Sequence, residues 1–95
     1  MYIFEQNDIT NNGHPLYFST TPDGTHGGGT EYTATKDAAT GLTGNAVEYY
    51  LDGVKQSGLA DYNTGFNAAT SREVWVVGAV PAGGKLYSVC YNHAG

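Results

Sequence analysis

The chain has 95 residues, a formal charge of −5 and only four basic side chains, Lys36, Lys55, Arg72 and Lys85. Cations this few and scattered exclude a nucleic-acid surface, which needs clustered Lys and Arg to displace counterions, and give no hold on an anionic membrane. No apolar run approaches the roughly 20 residues of a membrane-spanning helix, residues 1–12 are too polar to read as a signal peptide, and a single cysteine, Cys90, excludes an internal disulfide.

Fourteen glycines and eight tyrosines favour strands, turns and aromatic surfaces. Glycine costs a helix about 1 kcal/mol per site, whereas Tyr and Val suit a pleated sheet. The length fits one domain, 1–95, near the lower limit for a self-sufficient core.

In chain order, Tyr2-Ile3-Phe4 reads as a strand that runs into a turn at Asn11-Asn12-Gly13. His14-Pro15-Leu16-Tyr17-Phe18 is the next strand, with Pro15 at its start because proline has no N–H for a ladder. Residues 19–45 form a long polar stretch with turn clusters at 22–24 and 27–29, and Glu31-Tyr32-Thr33 is a short strand within it. Val47-Glu48-Tyr49-Tyr50-Leu51 is a strand closed by the hairpin signal Asp52-Gly53. Residues 61–69 have room for a single helical turn. Arg72-Glu73-Val74-Trp75-Val76-Val77 is the plainest strand, and a turn at 81–84 leads to the last, Leu86-Tyr87-Ser88-Val89-Cys90-Tyr91. Short strands with dense turn signals predict an all-β sandwich, with Ile3, Leu16, Phe18, Val74, Val76 and Leu86 facing inward.

Cys90 and His93 stand three residues apart at the end of the last strand, and His14 starts a distant one. A thiolate with two imidazoles is the ligand set of a blue-copper site. The competing reading is that Cys90 is ordinary core, since cysteine is among the most buried residue types. His26, beside Gly27-Gly28-Gly29, reads as a solvated loop histidine, and those glycines lack the strand–loop–helix context of a phosphate site. Asp23, Asp52 and Asp61 lack calcium-loop spacing. No nucleophile elbow or paired catalytic carboxylates can be argued, so the chain is not expected to be an enzyme.

The segment from Tyr2-Ile3-Phe4-Glu5-Gln6 through Gly13-His14-Pro15-Leu16-Tyr17-Phe18 to Gly27-Gly28-Gly29, and the close Leu86-Tyr87-Ser88-Val89-Cys90-Tyr91-Asn92-His93, resemble a cupredoxin-like domain recurrent in marine cyanobacteria and in structural proteins of their phages. In that family a GHPL or GHPF strand start is followed later by a strand such as LYYYC and then by xxHxGM. The resemblance covers about half the chain, at both ends. It implies a Greek-key β-sandwich, with His14, Cys90 and His93 at the copper-ligand positions. The family's axial Met would follow Gly95, and Met1 is the only methionine here. The family's strands before YIFEQ are also missing, which implies an open edge at Tyr2, Ile3 and Phe4 that another chain covers.

Two functions follow as expectations. One is a structural, decoration or attachment module of a marine phage virion, virion-borne or extracellular. It would contact other virion proteins or copies of itself, with no cofactor, no nucleic acid and no membrane insertion. The other is a small copper protein that uses His14, Cys90 and His93. A glycan-binding module is a third, weaker reading.

Overall fold

The computed structural model describes residues 2–22, 24–33, 35–37, 42–78 and 85–92. The turn expected at 81–84, Asp23 and His93 lie outside these residues. Among the described residues, β1 (Tyr2–Glu5), β7 (Arg72–Val76), β5 (Val47–Leu51) and β6 (Val54–Lys55) lie side by side in that order in one antiparallel sheet. β2 (Leu16–Ser19) pairs with β8 (Tyr87–Cys90), and β3 (Thr35–Asp37) pairs with β4 (Leu42–Asn45). One α-helix, α1 (Leu59–Gly65), packs against β5. This is the all-β, antiparallel, sandwich-like architecture that the strand and turn pattern predicts.

The core follows from the pleat. Successive side chains on β7 alternate, so Arg72, Val74 and Val76 face inward while Glu73 and Trp75 face out. The register carries that alternation across the sheet: Val47 lies opposite Val76, Tyr49 opposite Val74 and Leu51 opposite Arg72. Tyr17 and Phe18 of β2 and Val89 of β8 complete the core from the other layer. The Phe18 ring lies 5.1 Å from that of Phe4 on β1, which joins the layers at that end. Each fully buried side chain of this size contributes about 1.5–3 kcal/mol.

Ile3 departs from its expected inward position. It lies opposite Trp75, on the outer face, and is 45% exposed, whereas Phe4, opposite Val74, makes the inward contact. A one-residue difference in register moves every side chain of a strand to the other face, and the flanking apolar residues Tyr2 and Phe4 leave the phase of β1 ambiguous in the sequence. Leu16 and Leu86 are partly buried against the core.

The Asp52-Gly53 hairpin forms as expected. Both residues adopt left-handed backbone angles, φ 51° and 78°, as a two-residue turn between twisted strands requires. The Asp52 carboxylate accepts from the Thr70 and Ser71 amides at 3.0 and 2.8 Å, which ties the turn to the approach to β7. The helix is longer than the single turn expected and begins at Leu59. Leu59, Tyr62 and Phe66 recur at helical spacing and are all buried. In the long polar stretch the strands lie at β3 and β4, and Glu31 makes an isolated bridge to Ser19.

Two polar side chains hold the loop between β1 and β2. Gln6 donates to the His14 carbonyl at 2.9 Å, and its own carbonyl accepts from the Leu16 amide at 3.0 Å and the Tyr62 hydroxyl at 2.9 Å. Arg72, 2% exposed, donates to the carbonyls of Gln6, Asn7, Asp8 and Phe66 and to the Asn12 side chain, with its guanidinium 4.3 Å from the Phe66 ring centroid.

Candidate functional site

The β2–β8 ladder sets Leu16 directly opposite Cys90. His14 precedes Leu16 by two residues and so shares its face, one step along the strand from Cys90. The result is a close pair, with Cys90 Sγ 3.4 Å from His14 Nδ1. His14 is fixed at both backbone groups: its N–H donates to the Asn11 carbonyl at 2.8 Å, and its carbonyl accepts from Gln6 at 2.9 Å. The strand continues past Cys90 under similar control, since the Tyr91 amide donates to the Pro15 carbonyl at 2.9 Å and Asn92 donates to the Gly13 carbonyl at 2.8 Å. Gly13, at φ 81°, makes the sharp turn that returns the chain to His14.

His26 also reaches this end of the sheet. Its Nε2 lies 2.9 Å from the Cys90 carbonyl oxygen, which can only accept, so Nε2 carries a proton. The turn that delivers it, Gly24–Gly27, is anchored by the Tyr17 hydroxyl, which accepts from the Thr25 amide at 2.9 Å and lies 2.8 Å from the Thr25 hydroxyl. Gly24 is required there: its φ is +49°, and a Cβ would lie 2.5 Å from the Tyr17 hydroxyl oxygen. The sequence offered no sign of this contact, because it depends on how a polar loop folds back over β2.

The structure therefore brings together two of the three expected copper ligands, His14 and Cys90, while His93 lies outside the described residues. Among the described residues no group of three or more His, Cys, Asp or Glu side chains is arranged to hold a metal ion. Thiol and imidazole are both ligands suited to copper.

The second expected site is the β1 edge of the large sheet. β1 is its outermost strand, paired only with β7 among the described residues. Tyr2, Ile3 and Phe4 are 66%, 45% and 39% exposed. Tyr2 and Phe4 lie on the inward face with Val76 and Val74, and Ile3 lies on the outer face with Trp75. Of the devices that usually blunt an edge, the strand Tyr-Ile-Phe-Glu has one charged side chain, Glu5 at its end, and no Lys, Pro or bulge. No helix among the described residues is long and apolar enough to cross a membrane.

No protein-family model, no curated protein and no solved structure matches this chain.

Proposed function

We propose that the chain is a non-enzymatic, cupredoxin-like Greek-key domain that serves as a structural, decoration or attachment module of a marine phage virion. It acts there through protein–protein contacts with copies of itself or other virion proteins. The observation that carries this reading is the β1 edge, where three consecutive large apolar side chains are exposed and the only charge is Glu5 at the end of the strand. An added strand would satisfy the open backbone groups of that edge and cover the side chains on both of its faces. The phage setting is supported by the resemblance of the two ends of the chain. In sedimentation velocity, the full chain at micromolar concentration should associate through an interface of more than about 1,000 Å². Ile3→Lys, which places a charge on the edge, should return it to a monomer. A wild-type monomer at every concentration, with β1 amides protected from hydrogen exchange, would overturn the reading.

A second reading, copper binding, is favoured by the 3.4 Å approach of His14 and Cys90. These two side chains fit the soft, nitrogen-and-sulfur donor set that copper takes, and His93 is the third candidate. Adding Cu(II) should give intense visible absorption from a thiolate–copper bond, and Cys90→Ser should abolish it. A colourless, unsaturable response would remove this reading and leave the first intact.

A further inference from the structure

The register lines up the outer face of the large sheet in rows. In one row Glu5 lies opposite Glu73, Glu73 opposite Tyr50, and Tyr50 opposite Lys55. In the next, Ile3 lies opposite Trp75. The Trp75 and Tyr50 rings pack with centroids 4.3 Å apart, so Ile3, Trp75 and Tyr50 form an apolar stripe across three strands. α1 and the β2–β8 pair build the core against the other face. Ile3 is 45% exposed, and Trp75, Tyr50 and Glu73 are half-buried. The polar atoms of both rings turn to neighbouring carboxylates: Trp75 Nε1 donates to Glu73 at 3.1 Å, and the Tyr50 hydroxyl donates to Glu48 at 2.9 Å. Beside the stripe, Glu5 and Glu73 form no ion pair among the described residues, and only one Glu73 oxygen accepts from Trp75. Lys55 is bonded to Glu48 at 3.1 Å and stands about 10 Å from Glu73, two strand spacings away.

We propose that this face docks an arginine-bearing segment of a partner polypeptide, with one guanidinium between Glu5 and Glu73 and its stem along Ile3 and Trp75. Residues directly opposite on antiparallel strands have Cβ atoms about 4.5–5.5 Å apart, so one planar fork reaches both carboxylates. Like charges placed in this way weaken a sheet, and a cation between them turns the repulsion into attraction. Arginine suits the site better than lysine, because a guanidinium stacks on an aromatic face and is more weakly hydrated than an ammonium. Charge selects against other occupants. A phosphate or an acidic peptide would meet Glu5 and Glu73 as like charges, and a second copy brings the same net charge of −5. An apolar guest would bury both carboxylates without a counter-charge. The contact is made by side chains of the face and does not use the backbone groups of β1, so it is separate from the strand addition proposed above.

Trp75 is the only tryptophan and lies within the stripe, so its fluorescence reports on the face directly. The peptide acetyl-Gly-Arg-Val-Arg-Gly-amide would be titrated into the full chain, beside versions with lysine and with citrulline, the uncharged isostere of arginine. The readouts are Trp75 emission and backbone amide shifts. The arginine peptide should saturate both signals, with shifts centred on residues 3–5, 50 and 73–75. The citrulline peptide should bind about tenfold more weakly, as loss of one charge-assisted hydrogen bond would make it, and the lysine peptide should fall between. Glu5→Gln and Glu73→Gln should each weaken the arginine peptide about tenfold with the circular dichroism unchanged, since a glutamine carbonyl can still accept from Trp75. No saturation, equal binding of the arginine and citrulline peptides, or indifference to both Glu→Gln changes would overturn the proposal. So would saturation of the same residues by calcium with displacement of the peptide, which would assign the carboxylates to a metal. A chain that binds the arginine peptide yet stays monomeric in sedimentation would remove only the edge reading.

Discussion

Arg72→Ala should destabilise the fold by about 3–5 kcal/mol, most of what a domain of this size possesses. Arg72 is buried where a strand residue of its phase must point inward, and its guanidinium donates to four backbone carbonyls and to Asn12 at 2.6–3.3 Å. None of these acceptors is a carboxylate. The Asp8 carboxyl accepts from the Thr10 amide and lies 2.9 Å from the Thr10 hydroxyl, and those bonds, ahead of the weaker attraction of Arg72, hold it below the usual carboxylate range. Removing the guanidinium would leave several carbonyls of the 6–8 segment without a donor, at about 1–3 kcal/mol for each one that water cannot reach. Arg72→Lys should recover part of the loss, since an ammonium has three donors but not the planar fork. Urea unfolding measures both variants. A loss below about 1 kcal/mol for Arg72→Ala would mean that water replaces the side chain freely.

The fold should also fail abruptly in alkali. Burial pushes the Tyr49 hydroxyl far above the ordinary tyrosine value, and the negative charge of Glu31, which accepts its proton at 3.0 Å, pushes it further. Burial likewise raises Tyr62, whose hydroxyl donates to Gln6 at 2.9 Å. Both folded pKa values lie above the unfolded value of about 10, so the stability these groups confer is complete below that pH and is lost as pH rises beyond it. Each group removes up to about 1.4 kcal/mol per pH unit in that range. Two together would exhaust about 5 kcal/mol within roughly two units, which places cooperative unfolding near pH 12. Tyrosinate absorbance should rise in a step that coincides with loss of the circular dichroism signal. Tyr49→Phe and Tyr62→Phe should each shallow the decline by about half. A smooth absorbance rise with the fold still intact would contradict the assignment. Glu31 itself is raised by burial, so its contribution has the same sign: it is present at low pH and lost as the carboxyl ionises.

The strands with β-branched and aromatic runs were legible in the sequence, as was the Asp52-Gly53 hairpin, because pleat and turn chemistry act locally. His14 and Cys90 could be grouped in the sequence only as residue types that suit one metal, since residues 76 apart leave no local mark of their contact. Arg72 shows a signal that went unread: it shares the phase of Val74 and Val76, so strict alternation already places a charged residue inside. The helix was under-read because three apolar residues, Leu59, Tyr62 and Phe66, make too short a pattern to stand out against turns.

The topology also governs when the chain can fold. Residue 2 pairs with residue 76 and residue 16 with residue 90, so the first two strands find their partners only near the far end of the chain. During synthesis from the N-terminus, β1 and β2 emerge early and wait, while the β5–β6 hairpin closes at once. Non-local pairing of this kind makes folding slow and leaves Tyr2, Ile3, Phe4, Tyr17 and Phe18 exposed in the interval. An apolar edge useful for assembly after folding is thus also the segment most open to aggregation before it, and the same residues must be kept from associating until the last strand arrives.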